Sequence, residues 1–188
     1  MKFKLKRKLA LIFTSVLLCT SFSACTGGNS ADKGSSDKQK SITFGTNQFP
    51  TNLDPASEWN GWFVSMFGAG ETLVKLNKNM QIESLLSDSW KRVDDLTWKF
   101  HIRKGVKFDN GKAVTAQAVK ASLERTLKMN PRTREILLID SMTADGQDIT
   151  IKTKSSSEAF LSNMADSSAI IVDSSAPADT FAKAPVCT

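Results

Sequence analysis

The stretch that decides the fold runs from Ser87 to Arg125 and reads SDSWKRVDDLTWKFHIRKGVKFDNGKAVTAQAVKASLER. Its middle alternates strictly: Leu96, Trp98, Phe100 and Ile102 fall on one face, Thr97, Lys99, His101 and Arg103 on the other. Side chains of a strand point to opposite faces with a period of two, so Leu96 to Arg103 is predicted to be a half-buried strand. Asp94-Asp95 reads as a turn between strands. Beyond the strand, Lys104-Gly105 turns the chain, Val106 to Phe108 returns, and Asp109 to Lys112 turns it again. Thr115 then stands where a helix N-cap belongs. Val119, Leu123 and Leu127 recur every four residues, which lays one apolar stripe along a helix over residues 116–128.

Downstream, Pro131 stops that helix shortly after Met129, because proline lacks the N–H the helix needs and clashes with the preceding turn. Ile136 to Thr143 and Ile149 to Lys154 flank Asp145-Gly146 and read as a hairpin. Ser157 to Ala165 reads as a short helix, and Ala169 to Val172 as a short buried strand. Upstream, Ser41 to Thr46 alternates like a strand, and Asn47 to Pro55, with two prolines among Asx residues, reads as a loop. Trp59 to Leu76 (WNGWFVSMFGAGETLVKL) is predicted as a helix interrupted near Gly68 and Gly70 that runs into a strand at Leu73 to Leu76. Strands and helices mix without strict βαβ alternation. The expected class is therefore α/β, built locally as a mixed α+β lobe.

Composition places the charge before it explains it. The 188 residues carry a net charge of +6, and Lys2, Lys4, Lys6, Arg7 and Lys8 supply five of those charges, so the rest of the chain sums to +1. Behind the basic stretch lies an apolar run, Leu9 to Thr20, and then Ser-Phe-Ser-Ala-Cys25. A basic n-region, a short apolar h-region and small residues before a cut site form the anatomy of a secretory signal, and the run is too short to span a bilayer dependably. Thr26 to Lys40 (TGGNSADKGSSDKQK) holds no apolar residue larger than alanine and should behave as a flexible tether.

Catalytic signatures are missing from the sequence. It holds one histidine, His101, and no GxSxG, HExxH or P-loop pattern, and Gly68-Ala-Gly70 lacks the third glycine of a dinucleotide fingerprint. His101 sits on the polar face of its strand beside lysine and arginine and reads as a solvated or surface-packed side chain. Of three cysteines, none falls in a CxxC or Cys/His metal spacing, so neither a metal nor another cofactor is called for. The nearly neutral body and the lack of an interleaved basic and aromatic patch argue against nucleic acid as a partner.

The quoted stretch resembles the signature region of bacterial extracellular solute-binding proteins of family 5, the dipeptide, oligopeptide and nickel class that feeds ABC importers. The pattern is a Trp (Trp90), a D-x-x-T-W strand, an R-x-G-V-x-F-x-x-G turn and a T-A-x-x-V helix ending at Arg125. Leu53-Asp-Pro55, Glu71-Thr-Leu-Val74 and Ala184 to Thr188 fall where that family has related segments, so the resemblance spans Ile42 to Thr188. It implies a type II periplasmic-binding-protein fold, here incomplete and containing part of lobe one. The expected organisation is a signal peptide over 1–24, a tether over 25–41 and a truncated solute-binding domain over 42–188. Ser-Ala-Cys25 resembles the lipobox of bacterial lipoproteins, with Phe22 where leucine is preferred; the resemblance implies lipidation at Cys25 on the outer face of the cytoplasmic membrane.

The function so implied is capture of peptides, or of nickel and metal chelates, for ABC permease subunits. The alternatives are a metallophore binder within the family, a surface lipoprotein without transport, or a nonfunctional truncated product. Trp59, Trp62 and Phe63 occupy the segment from which relatives present contacts to the cleft, though an aromatic stripe of this kind is more often core. In nickel-chelate relatives two arginines clamp the chelator's carboxylates; the first corresponds to Arg132 or Arg134, with Glu135 in place of an aromatic neighbour. Ser168 stands at the second. Gly68, Gly70 and Glu71 read as backbone-approach and capping positions.

Overall fold

The computed structural model describes Thr43 and residues 45–188. The expected signal peptide, the expected tether and Cys25 lie outside the described residues, as do Ser41, Ile42 and Phe44 of the first expected strand; Thr43, Gly45 and Thr46 are irregular.

A short helix, α1 (Asn60–Met66), follows the expected loop. Strands β1 (Val74–Leu76) and β2 (Ile82–Ser84) form a small antiparallel hairpin in which Leu76 pairs with Ile82. The principal sheet holds β3 (Ser87–Arg92), β4 (Thr97–Ile102), β5 (Ile139–Asp145) and β6 (Asp148–Thr153) in the order β3-β4-β6-β5, every neighbouring pair antiparallel. Register puts Trp98 opposite Ile151 and Phe100 opposite Ile149, so the apolar face read from alternation is the inner one. Helices α2 (Ala116–Met129), α3 (Pro131–Leu137) and α4 (Phe160–Asn163) and a 3-10 turn, Ser167–Ala169, complete the set among the described residues.

The core lies between that inner face and α2. Phe100, Ile102, Ile149, Ile151, Val119 and Leu123 are all fully buried in one cluster. Each such side chain is worth about 1.5 to 3 kcal/mol of hydrophobic stabilisation. Phe160, delivered by α4, stacks on Trp98 with ring centroids 5.7 Å apart. A second, smaller cluster gathers Val64, Ile170, Val172, Phe181 and Cys187.

Helix α2 starts as expected: the Thr115 side chain accepts a hydrogen bond from the Ala118 N–H at 3.2 Å. Its end differs from the expectation. Pro131 stops α2 and also opens α3, because Asn130 caps the new helix by accepting from the Thr133 N–H at 3.2 Å while proline takes the first helical position, where no donor is needed. The strand expected from Ile136 therefore begins at Ile139, after Leu138 closes α3 in the left-handed region at φ 48°. Residues 170–172 are buried but form no strand. Ile171 N–H donates to the Glu71 carbonyl (2.8 Å), Val172 N–H to Ser122 Oγ (2.9 Å) and Asp173 N–H to the Val186 carbonyl (2.9 Å); three partners on three segments satisfy the backbone without a ladder.

Both outer strands of the sheet are irregular. The β3–β4 register shifts between Ser87 and Ser89, and the β5–β6 register between Ile139 and Ser141. At the first of these bulges the buried Ser87 hydroxyl shares its one O–H between the carbonyls of Ser89 (2.8 Å) and His101 (2.9 Å).

Candidate ligand-binding face

The segment Glu58 to Met66 is fixed from below. Asn60, 2% exposed, donates to Asn52 Oδ1 at 3.0 Å, and Asn52 in turn accepts from the Asp54 N–H at 2.8 Å. Gly61 lies so close to the 3-10 turn that a Cβ there would come within 2.3 Å of the Ser167 carbonyl oxygen. Asn130 Nδ2 donates to the Glu58 carbonyl at 3.1 Å, tying the junction of α2 and α3 to the residue before Trp59. These contacts hold three parts of the chain together: the start of α1, the start of α3 and the turn at Asp166 to Ser168.

Trp59 and Trp62, at 65% and 50% exposed, are presented outward from this frame. They are not core residues. Phe63 is half-buried and meets Trp62 edge-on, with centroids 5.1 Å apart and planes at 71°. The Arg132 guanidinium stacks over Trp59, 4.5 Å from the ring centroid, a cation–π geometry. Its two terminal nitrogens donate to the two oxygens of Asp166 at 3.1 and 3.0 Å, a bidentate pair. Asp166 also accepts from the Ser168 N–H (2.9 Å) and hydroxyl (2.7 Å). Burial would raise the Asp166 pKa, but the Arg132 and Ser168 hydrogen bonds outweigh it and hold the carboxyl at about 2. The Asp166 hydrogen bond likewise raises the Arg132 pKa.

The structure thus brings together Trp59, Trp62, Phe63 and Arg132 among the expected site residues. It separates Arg134, which turns back to donate to the Leu127 carbonyl at 3.3 Å. Glu135 is exposed, and Ser168 is buried beneath Asp166. The residue that sequence reasoning missed is Asp166. Its signal was present in Asp166-Ser-Ser168, an acceptor side chain followed two residues on by a free N–H, the pattern of an Asx turn.

Concavities of the described residues lie away from this face. On the solvent face of the sheet, a hollow of 320 Å³ is lined by Ser89, Lys91, Lys99, His101 and Asp148. There Asp148 receives Lys99 at 2.8 Å and the His101 Nδ1 at 2.7 Å, so the histidine is surface-packed, and Lys99 first, then His101, hold the Asp148 carboxyl below the ordinary range. A groove of 460 Å³ runs past Leu53, Val64, Phe67, Lys183 and Cys187. Cys187 is 5% exposed and unpaired, and burial first, then nearby Asp109 and Asp54, push its thiol up to about 12. Among the described residues no cluster of three or more His, Cys, Asp or Glu is placed to hold a metal ion, and no helix is long and apolar enough to cross a membrane.

The architecture is part of the type II periplasmic-binding-protein fold. A nickel ABC transporter structure from Bacillus halodurans superposes with a TM-score of 0.66 at 35% identity, covering 72% of this chain and 28% of that one. Residues 81–188 match the model of bacterial extracellular solute-binding proteins, family 5 Middle, and the chain belongs to that family. The nickel-binding protein NikA of Staphylococcus aureus is 33% identical over 183 residues, which is 95% of this chain and 33% of that protein. A crystal structure of that protein in complex with Ni(L-His)2 superposes with a TM-score of 0.61 at 36% identity, over 63% of this chain and 25% of that one. A probable D,D-dipeptide-binding periplasmic protein of Escherichia coli is 38% identical over 88 residues, 43% of this chain and 17% of the relative. This chain spans about a third or less of the length of these two relatives.

Proposed function

We propose that the chain is the N-terminal part of an extracytoplasmic substrate-binding lipoprotein of an ABC importer, anchored by lipid at Cys25 and delivering a nickel or other metal chelate to its permease subunits. The observation that carries the reading is the outward pair Trp59 and Trp62 beside the stacked Arg132, in a chain similar over nearly its whole length to a nickel-binding protein. Exposed indoles offer a large flat apolar surface at small entropic cost, which suits the organic shell of a chelate. A peptide ligand is the second reading, favoured by the similarity to the D,D-dipeptide relative.

Deleting the gene and restoring it under control should lower and then recover nickel accumulation. Unchanged accumulation, with lost growth on peptides as nitrogen source, would favour the peptide reading instead. Radiolabelled palmitate should enter the protein and disappear in Cys25→Ser; equal labelling of both forms would overturn the anchor.

A further inference from the structure

The bidentate edge of the Arg132 guanidinium is already taken. Each terminal nitrogen donates one N–H to Asp166, at 3.1 and 3.0 Å, and one face of the cation stacks on Trp59. Asp166 is itself anchored, because the Ser168 N–H and hydroxyl reach it at 2.9 and 2.7 Å and Ser168 is 4% exposed. The ion pair has no net charge. It remains partly open to solvent, with side chains 37% and 25% exposed, next to the outward faces of Trp59 and Trp62. A ligand arriving here meets aromatic surface and a neutral pair, not a free cation. To take that bidentate edge of Arg132, a ligand carboxylate must displace one that is held intramolecularly by four hydrogen bonds.

We propose that Asp166 determines specificity at this face: it is a built-in carboxylate occupying the seat a ligand carboxylate would take on Arg132, so the face favours neutral or cationic ligands with a flat surface and rejects polycarboxylates. The proposal deepens the preceding reading and rests on it for the claim that this is the ligand face. With Ser168 supporting Asp166, the turn supplies an internal anion and its support.

The test uses the purified chain and two probes, citrate and the neutral chelate Ni(L-His)2, followed by tryptophan fluorescence and by the Arg132 Nε–H resonance in a 15N-labelled sample. Asp166→Asn should bind citrate at least about 10-fold more tightly than the parent, the scale of one freed charge-assisted contact. The gain should vanish in R132Q/D166N and shrink with added salt. Ser168→Ala, which loosens Asp166 without removing its charge, should shift citrate affinity the same way by less, and it carries the test if Asp166→Asn folds poorly. Citrate binding equally well to the parent and both variants, or moving the Arg132 resonance in the parent, overturns the proposal. Failure of Ni(L-His)2 to perturb Trp59 and Trp62 in any form, with the citrate gain intact, would instead count against the ligand-face reading and leave the role of Asp166 standing.

Discussion

At Asp166 burial and hydrogen bonding pull in opposite directions, and the hydrogen bonds win: the carboxyl sits at about 2 against an ordinary 3.8. A carboxyl with a depressed folded value adds stability that is fully present above its unfolded pKa and is lost as pH falls through the folded one. The window here is from about pH 4 down to about pH 2. After allowance for solvent screening of a quarter-exposed group, the contribution is about 1 to 2 kcal/mol. Asp166→Asn should therefore melt below the parent at neutral pH, and the gap in melting temperature should close as pH falls toward 2. A gap independent of pH would show that the stabilisation is not tied to ionisation. This residue could be named in the sequence only as part of a polar Asp-Ser-Ser turn, since its partner Arg132 lies 34 positions away.

Among the elements, α1 shows how a glycine rule can reverse. Replacing a helical glycine by alanine ordinarily stabilises by about 1 kcal/mol. At Gly61, however, the added Cβ would fall 2.3 Å from the Ser167 carbonyl oxygen and 3.1 Å from that of Pro55, both backbone atoms that cannot swing aside. Gly61→Ala should cost about 2 to 4 kcal/mol, read as a lowered denaturation midpoint, and should move Trp59 off Arg132. A stabilised variant would mean the approach of α1 to the turn is looser than described. Elements with a strong local signature were legible: alternation gave β4 and its inner face, the Asp145-Gly146 turn gave the β5–β6 hairpin, and the Thr115 cap gave α2. Helix α3 was not read, although Asn130-Pro131 carries the start signal of a helix as well as the stop signal of the one before. The buried segment at Ile170 to Val172 was misread because an apolar run of that length reports burial, not pairing.

Across the whole described molecule, one guanidinium joins parts that the sequence keeps apart. Arg125, on α2, forms a bidentate pair with Asp54 at 2.9 and 2.5 Å and stacks 3.8 Å from the ring centroid of Phe181. The loop before α1, the central helix and the C-terminal segment therefore meet at one side chain. Both residues stood out in the sequence motifs, Asp54 in Leu-Asp-Pro and Arg125 at the end of the Thr-Ala helix, but a separation of 71 positions hid the pairing. Arg125→Lys keeps the charge and loses both the fork and the stack, so it should cost about 2 to 3 kcal/mol in a denaturant titration; parent-like stability would show that charge alone suffices. The aromatic face was likewise only half legible, because composition cannot tell an outward Trp59 from a buried one until α1 is oriented by Asn60 and Gly61.

The two bulged strands carry a consequence at the rims of the sheet. Among the described residues β3 and β5 are its outermost members, and an outermost strand offers backbone groups that another extended chain could adopt as a template; on β3 the Ser87 N–H is already given to the Leu73 carbonyl at 2.9 Å and the Asp88 carbonyl to the Ser84 hydroxyl at 3.2 Å. The register slips at Ser87/Ser89 and Ile139/Ser141 interrupt both edges, and Asp88, Lys91, Asp140 and Asp145 set charges along them. A protein of this make can stand crowded among its own copies without its sheet growing from one molecule into the next.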